Sequence, residues 1–244
     1  MTTKKAETIG SKNLFRPGNI GKLQIKNRII MAPMGVSGLT ELDGRYSQRA
    51  IDYYACRAKG GTGLIITGVL AVEVEMEKRA EAPWSRMPRA DSPSYIARLN
   101  ELTDAVHVYG SRIAAQLTAG YGRNMPPAFA NAGWAVGPSS VPCFWAPNAM
   151  TRELTTQEVE RFVRAFGVAA GVVKAAGFDA VELHGHEGYL MDMFITSLWN
   201  KRQDKYGGNL QGRLTFILEI IESIRREAGQ DFPIIILQAI TISC

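Results

Sequence analysis

Short apolar runs alternate with longer amphipathic segments along the chain, and this alternation predicts the fold class. The run Gly63–Gly68 (GLIITG) is apolar at successive positions and bounded by glycine, which is typical of a strand covered on both faces in a parallel sheet. Four further strands are predicted, at the end of Lys22–Met34 and in Ile113–Leu117, Phe178–His184 and Pro233–Leu237. Five strands separated by helices, all implied parallel, indicate an α/β fold with right-handed crossovers.

The intervals between these strands have helical periodicity and recognisable end signals. Helices are predicted from Gln48 to Lys59, from Ser92 to Gly110, from Thr155 to Gly177 and from Leu210 to Glu227. Gly60 and Gly61 can end the first helix because glycine adopts the left-handed conformation that follows many helices. Thr155 and Glu158 match a capping box at the start of the third helix.

Five β/α units are too few to close an eight-stranded (β/α)₈ barrel of the TIM type. The sequence stops at ITISC, seven residues after the end of the fifth predicted strand, where such a barrel needs roughly 90 to 120 more residues. The pattern therefore fits an open doubly wound sheet, or an incomplete barrel of which residues 1–244 are the N-terminal portion. No internal repeat distinguishes the two.

The longest stretch without clear periodicity runs from residue 118 to residue 152. It holds five of the eleven prolines, which predicts a surface loop rather than a helix or strand. Long loops inside a domain usually carry function, so we expect this loop on the active-site side.

Composition and charge narrow the class of protein. The chain has 244 residues, 46% hydrophobic and 21% charged, with a net charge of +5 that is scattered and forms no Lys/Arg block, so we expect no nucleic-acid partner. The three cysteines include no CxxC pair, which argues against a disulfide framework and a zinc site. No run of about 18 apolar residues and no apolar N-terminal stretch occur, so we expect a cytoplasmic protein without membrane contact.

The end of the fourth predicted strand carries the densest group of reactive side chains. In a strand, alternate residues face opposite sides, so Glu182 and His184 are expected to share one face of the sheet. Function collects at the carboxyl ends of strands in α/β folds, and His184, His186 and Tyr189 lie at or just beyond this end.

These residue types suit carbonyl chemistry. Tyrosine keeps its proton at neutral pH, with an ordinary pKa of about 10, and can deliver it to a carbanion. Histidine can donate a hydrogen bond to a substrate carbonyl and draw charge from the carbon that accepts hydride. His184, His186 and Glu187 also have metal-binding side chains, but one carboxylate beside an H-x-H spacing is a weak signal and we expect no metal.

Several motifs in series resemble the old yellow enzyme family of flavin oxidoreductases. The resemblance is closest to the branch with 2,4-dienoyl-CoA reductase and 2-enoate reductase. The matching pieces are KNRIIMAPM (Lys26–Met34), RAKGGTGLIITG (Arg57–Gly68), AAQL (Ala114–Leu117), PSSVP (Pro138–Pro142), RELTTQEV (Arg152–Val159), GFDAVELHGHEGYLMDMF (Gly177–Phe194) and NKRQDKYGG (Asn200–Gly208).

The resemblance implies a (β/α)₈ barrel with FMN over its mouth, reduced by NADH or NADPH, and hydride transfer to the alkene of a small unsaturated carbonyl or enoyl-CoA substrate. It assigns flavin contacts to Ala32, Pro33, Met34, Gly35, Gly68 and Gln116. It assigns the substrate carbonyl to His184 and Glu187, and the proton donor to Tyr189.

Three departures from the family pattern bear on these assignments. Many members have His or Asn at the place of Glu187; glutamate there narrows the match to the dienoyl-CoA branch, and an ionised carboxylate cannot donate to a carbonyl. The usual H-x-G-R motif reads TAGYGR at 118–123, without the histidine. On strand five, Leu237 and Gln238 stand where the family has an arginine, and the glycine-rich phosphate grip of later strands is absent, so an iron–sulfur cluster or FAD is expected only in a full-length version.

Two alternatives remain open. Amine dehydrogenases share the barrel and use aromatic and acidic walls around a cationic amine, which Trp199 and Glu187 would allow. Alternatively, the chain is a non-catalytic half-barrel whose exposed strand edge needs a partner chain or a second copy.

Overall fold

Parallel strands form the main sheet of the computed structural model, which describes residues 11–35, 38–78, 81 and 87–238. In chain order these strands are β3 (Ile30–Met31), β4 (Leu64–Ile66), β5 (Leu70–Ala71), β6 (Arg112–Thr118), β9 (Ala180–Gly185) and β10 (Ile234–Gln238). β3, β4, β6, β9 and β10 lie side by side in chain order, and β5 extends the pairing with β6. A doubly wound sheet reverses its order at a switch point, and the described strands never do. The strand order is therefore that of a barrel wall.

Two small ladders flank the main sheet. β1 (Gly18–Ile20) and β2 (Leu23–Ile25) form an antiparallel hairpin, and β7 (Val136–Gly137) pairs in parallel with β8 (Arg152–Glu153). The segment Lys22–Met34 thus contains β3, the strand predicted at its end, and an additional strand, β2, at its start. Asn27 separates them by donating to the Gly61 carbonyl (2.8 Å) while it accepts from the Ile29 N–H (3.1 Å).

The predicted helices are present with nearly the predicted ends. The helices are α1 (Ser11–Leu14), α2 (Gln48–Lys59), α3 (Ile96–His107), α4 (Pro127–Asn131), α5 (Thr156–Ala175), α6 (Leu190–Ile195) and α7 (Leu210–Ala228), with 3₁₀ turns at Pro93–Tyr95 and Gly122–Asn124. The capping box at Thr155 and Glu158 is confirmed in both of its hydrogen bonds. Ser92 caps the 3₁₀ turn that precedes α3, so the α-helix proper begins four residues later than Ser92.

The alternation along β9 is confirmed, and it divides the core into two sides. Val181 and Leu183 are fully buried in the large apolar cluster that includes the inward faces of α5 and α7. Glu182 and His184 face the other side, where they contact the polar side chains of β6. At the amino end of that inner side, the β1–β2 hairpin closes the sheet with a second cluster, made of Leu23, Ile25, Leu64, Ile66, Ala114 and Ala180.

The prediction of a loop without helices or strands at 118–152 is wrong. The segment contains α4, β7 and a 3₁₀ turn, and it buries its own cluster around Met125 and Phe129, with the Trp134 ring stacked on Phe129 at 4.9 Å. Pro127, which suggested a loop, stands at the first position of α4, where the missing N–H has no cost. Only the first residues of the segment, up to Tyr121, reach the large cavity described below.

β10 is an edge strand in the part of the chain that the structure describes. It pairs with β9 on one side, and Ile236 is 43% exposed. The final residues 239–244, which include Cys244, lie outside the described residues. Across the described residues, no helix combines the length and apolar character needed to cross a membrane.

Candidate active site

A cavity of about 650 Å³ opens at the carboxyl ends of the parallel strands. Its volume is within the range of small-molecule sites, which is roughly 300–1,000 Å³. All six residues predicted to contact a flavin line it, and so do His184 and Tyr189. The six are Ala32, Pro33, Met34, Gly35, Gly68 and Gln116. The fold therefore brings together residues that are up to 157 positions apart in the sequence, from Ala32 to Tyr189.

Gly68 ends the second wall strand where the segment after β3 crosses it. A Cβ at this position would overlap the carbonyl oxygen of Met34 and crowd the Cα of Gly35. The Gly68 N–H donates to the Tyr54 hydroxyl at 3.0 Å. Glycine is thus required here for the close packing of two cavity walls, in addition to any approach of a ligand.

We expect Gly68→Ala to displace the Met34–Gly35 backbone and to cost about 1–3 kcal/mol of unfolding free energy, as overpacked sites do. Gly171→Ala is the matched control, because a Cβ there meets only an ordinary contact at 3.8 Å within α5. That control should be neutral or stabilising by up to about 1 kcal/mol. Urea unfolding of both variants checks the prediction, and equal stability of the two would contradict it.

His184 is held against strand β6 by a short polar chain. Its Nδ1 lies 3.1 Å from the Thr118 hydroxyl, which itself accepts the Gly120 N–H at 3.1 Å. His184 is 7% exposed and its ring lies 4.3 Å from the Tyr189 ring, centroid to centroid. The ring is therefore fixed in orientation beside the tyrosine. Thr118 stands at the first position of the altered H-x-G-R motif, so the residue that replaces the family histidine orients His184.

Tyr189 stands at the start of α6 and on the wall of the cavity. Burial raises the pKa of its hydroxyl above the ordinary value of 10, and the nearby Tyr121 and Glu187 raise that pKa further. The phenol therefore keeps its proton at neutral pH, which is the state that proton donation requires.

Glu187 does not line the cavity. Its side chain is 71% exposed, its backbone has a left-handed φ of 52°, and its carboxylate lies 3.5 Å from Nδ1 of His186. The residue that lines the cavity in this turn is His186, whose ring lies 4.8 Å from that of His184. The sequence grouped His186 with its neighbours without assigning it a role. Backbone conformation decides between the two residues, and periodicity beyond a strand end does not predict it.

Two side-chain hydrogen bonds hold the turn at residues 187–188 in place. The buried Asp192 accepts the Gly188 N–H at 2.7 Å, and burial raises the pKa of this carboxyl group. Asn124 donates to the Glu187 carbonyl at 2.6 Å. These bonds fix the left-handed turn at residues 187–188 that aims Tyr189 at the cavity.

Two buried tyrosines complete the wall behind Gly68 and were missed by sequence reasoning. Tyr46 and Tyr54 line the cavity with their rings 6.0 Å apart, and burial raises the pKa of both hydroxyl groups. Tyr54 belongs to an amphipathic helix and Tyr46 to an isolated β-bridge with Thr40 just before it, so no local pattern separates them from core residues.

The described lining of the cavity mixes apolar and polar side chains. It contains histidine, tyrosine, threonine and glutamine, and none of these described lining residues is Asp, Glu, Lys or Arg. The described residues also hold no cluster of three or more His, Cys, Asp or Glu side chains placed to bind a metal. The polar groups that the described lining offers to a ligand are therefore the side chains of histidine, tyrosine, threonine and glutamine.

Comparison with known protein families gives one match to almost the whole chain. Residues 13–241 match the model of the NADH:flavin oxidoreductase / NADH oxidase family. Cinnamate reductase of Clostridium sporogenes is 48% identical over 224 residues, which are 91% of this chain and 33% of that protein. NADH oxidase of Thermoanaerobacter brockii is 43% identical over 222 residues, with coverage of 91% and 33%. The chain thus spans about a third of the length of these relatives.

Solved structures with this fold include reductases and a histamine dehydrogenase. A 2-naphthoyl-CoA reductase in complex with 2-naphthoyl-CoA matches with a TM-score of 0.80, 29% identity, and coverage of 92% of this chain and 35% of that one. An old yellow enzyme homologue from Zymomonas mobilis matches at 0.76 and 28%, with coverage of 93% and 63%. Histamine dehydrogenase from Rhizobium sp. 4-9 matches at 0.76 and 28%, with coverage of 93% and 34%. Together with the strand order, these matches confirm the fold class, an incomplete (β/α)₈ barrel wall.

Proposed function

Because the chain belongs to the NADH:flavin oxidoreductase / NADH oxidase family, we propose that it carries the catalytic side of an FMN-dependent ene reductase. Such an enzyme reduces the C=C bond of α,β-unsaturated carbonyl or enoyl compounds with hydride derived from NAD(P)H. The observation that carries the proposal is the shared cavity, in which the six predicted flavin-contacting residues meet His184 and Tyr189. Membership of this family follows from the comparison itself, whereas the activity is a proposal for a chain that spans about a third of the length of its relatives.

The proposed substrate class rests on the names of the relatives and on a cavity whose described lining contains no carboxylate. The names cinnamate reductase and 2-naphthoyl-CoA reductase point to alkenes or arenes conjugated to a carboxyl or thioester carbonyl. A carbonyl oxygen that gains negative charge needs hydrogen-bond donors rather than a carboxylate, and the lining supplies histidine and tyrosine. We therefore propose aryl or alkyl enoates, free or as thioesters, as substrates.

The cavity residues fit the ring system of a flavin. Gln116 offers both an amide donor and an acceptor, and the segment from Ala32 to Met34 offers an apolar wall. The described lining does not offer a cationic partner for the phosphate of FMN, because none of these residues is Lys or Arg. When bound, FMN would supply the ring that takes hydride from NAD(P)H and passes it to the alkene.

His184 is the proposed polariser of the substrate carbonyl. A neutral imidazole that accepts the Thr118 hydroxyl proton at Nδ1 carries its own proton on Nε2, and that N–H is the donor assigned to the carbonyl. The Thr118 hydroxyl already accepts the Gly120 N–H, and this favours the hydroxyl as the donor in its hydrogen bond with His184. His186, beside it on the lining, is a second candidate donor.

Tyr189 is the proposed acid that protonates the carbon next to the carbonyl. Its raised pKa keeps the O–H intact until charge develops on the substrate. In this proposal Glu187 does not contact the substrate carbonyl, which is the role that the family resemblance implies for it. Its exposed carboxylate acts on His186 at 3.5 Å rather than on the substrate.

The amine dehydrogenase alternative has less support from the geometry. A cationic amine needs an acidic group in the wall, yet none of the described lining residues is acidic, and neither Glu187 nor Trp199 is among them. Anaerobic bleaching of bound flavin separates the two functions. NAD(P)H alone should bleach it in a reductase, whereas bleaching by histamine or another amine and not by NAD(P)H would favour the dehydrogenase.

We propose that further β/α units complete the barrel, from the rest of a longer protein or from a partner chain. The exposed edge of β10 and the one-third coverage of the relatives support this. An iron–sulfur cluster, FAD and a preference between NADH and NADPH would belong to that larger assembly. A cytoplasmic location also stays a prediction.

Flavin titration tests the proposal. We expect the fluorescence of FMN and riboflavin to be quenched on addition of the chain. The two dissociation constants should lie within about threefold of each other, because no Lys or Arg among the described lining residues is available to hold the phosphate. Equilibrium fluorescence titration measures both constants. Failure of both flavins to bind at millimolar concentration would reject the proposal for this chain, and FMN binding a hundredfold tighter would contradict the ring-only site.

A further inference from the structure

A buried carboxylate sits beside the cavity without a role in the proposed mechanism. Glu182 is 3% exposed and stands directly opposite Gln116 in the β6–β9 ladder. The Gln116 Nε2 donates to its Oε1 at 2.8 Å, and Gln116 is itself 3% exposed. Gln116 lines the cavity, whereas Glu182 is not among its lining residues. The pair therefore connects the cavity wall to a carboxylate behind it.

The chemistry of the pair fixes the direction of the amide. An ionised carboxylate has acceptors only, so the glutamine must present its NH₂ group to Glu182. The carbonyl oxygen Oε1 of Gln116 is then turned away from Glu182. On the backbone, the Gln116 N–H is held by the Thr67 hydroxyl at 3.3 Å, which fixes the position of the residue on its strand. A glutamine without such a partner could present either end of its amide.

The residues around Glu182 make the orientation of the Gln116 amide sensitive to the charge of the Glu182 carboxyl group. On β10 its register partner is the apolar Ile235, and Leu237 lies further along that strand. Among the described residues no Lys, Arg or His forms a salt bridge with Glu182. Burial raises the pKa of the Glu182 carboxyl group, and the Gln116 hydrogen bond opposes that rise. A protonated Glu182 could donate to Oε1, and the amide would then gain a second possible orientation.

We propose that Glu182 is a positioning residue that holds the Gln116 carboxamide with its oxygen toward the cavity, where it accepts the imide N–H of a flavin ring. This rests on the proposed flavin function. Glu182 does not touch the cofactor in this arrangement; it acts through Gln116. The simpler role, a buried hydrogen bond that only stabilises the sheet, predicts no effect on which flavin ring binds.

Binding of lumiflavin and 3-methyllumiflavin distinguishes the two roles. The methyl group removes the imide N–H, so the wild-type chain should bind lumiflavin roughly tenfold more tightly. In Gln116→Ala no amide oxygen accepts the imide N–H. The remaining preference for lumiflavin over 3-methyllumiflavin should then reflect only the steric effect of the methyl group. In Glu182→Gln the preference should fall most of the way to the Gln116→Ala value, because a carboxamide at 182 can pair with either end of the Gln116 amide.

Glu73→Gln is the matched control, since Glu73 is another buried carboxylate, 7% exposed, that bonds Arg161 and does not line the cavity. It should keep the wild-type preference. Full preference in Glu182→Gln would overturn the positioning role, as would an equal loss in Glu73→Gln.

The flavin-free chain gives a second readout, so that failure of flavin binding does not leave the inference undecided. In ¹H–¹⁵N spectra one side-chain amide proton of Gln116 should be shifted and slow to exchange, and its position should follow the ionisation of Glu182 as pH falls. Glu182→Gln should remove that pH dependence. Two rapidly exchanging amide protons in the wild-type chain would show that Glu182 does not orient Gln116. Absence of lumiflavin binding with the expected amide signals would reject the flavin function and keep the amide orientation.

Discussion

Tyr189→Phe should slow the reduction of an enoate by bound, reduced flavin about 10²- to 10⁴-fold, the usual contribution of a positioned general acid. The hydroxyl is the only group that the substitution removes, and the ring contact with His184 at 4.3 Å remains. Reduction of the flavin by NAD(P)H needs no proton from Tyr189 and should change little. Anaerobic stopped-flow absorbance on flavin-loaded protein measures the two half-reactions separately.

Tyr121→Phe is the matched control for this experiment. Tyr121 also lines the cavity, with its ring 6.5 Å from that of Tyr189, but it lies on the β6 side of the site. It should slow neither half-reaction by more than a few fold. A large loss in Tyr121→Phe with none in Tyr189→Phe would reassign the acid.

The pH profile gives an independent check of the acid. Burial raises the pKa of Tyr189 above 10, so the protonated form persists beyond the ordinary titration of a phenol. The rate of alkene reduction should therefore stay constant up to about pH 10 and fall only above it. A fall near neutral pH would assign the proton to another group.

Arg202→Met should cost about 3–5 kcal/mol of unfolding free energy, the range for removing one partner of a buried charge pair. Arg202 is 5% exposed and donates to the carbonyls of Pro138 and Leu154 and to both carboxylate oxygens of Asp204. Asp204 also accepts the Thr156 hydroxyl at 2.7 Å, at the start of α5. One guanidinium group thus joins the ends of β7 and β8 to the loop after α6.

The loss in Arg202→Met should depend on pH in a defined direction. The Arg202 hydrogen bonds lower the pKa of Asp204 to about 2 from its ordinary 3.8. Because the folded pKa is depressed, this part of the stability is present above pH 3.8 and is lost as the pH falls through about 2. The stability difference between wild type and variant should therefore shrink between pH 4 and pH 2, which urea unfolding at several pH values measures.

Arg45→Met is the control for a solvent-exposed ion pair. Arg45 pairs with Asp43, and the two side chains are 45% and 51% exposed. Such pairs contribute about 0–1 kcal/mol. Similar losses of unfolding free energy for Arg45→Met and Arg202→Met would contradict the stabilising role described for the Arg202 hydrogen bonds.

Two departures from the family pattern, at Thr118 and Leu237, have different structural consequences. Thr118, in place of a histidine, takes over a defined task by bonding His184. Leu237, in place of an arginine, lines the cavity and provides no charge. Under the proposed function, the site therefore keeps a carbonyl polariser and a proton donor, while its described lining offers no Lys or Arg to the anionic parts of a flavin.

The sequence by itself determined the four long helices, the five wall strands and the alternation of faces along β9. Helix ends and strand faces depend on residues within about five positions of one another, as in the capping box of Thr155 and Glu158 or the alternation along β9. For that reason the helix predicted at Gln48–Lys59 has the predicted ends. The same local motifs carried the resemblance that led to the residues of the cavity.

Only the tertiary structure decided how those elements combine. The strand order that separates a barrel wall from a doubly wound sheet depends on pairings such as Gln116 with Glu182, which are 66 positions apart. The packing of residues 118–152 depends on an apolar cluster whose members have no common period. Whether His186 or Glu187 faces the cavity depends on one left-handed turn that Asp192 holds from below. In each case the free energy comes from contacts between distant segments, and no local pattern encodes them.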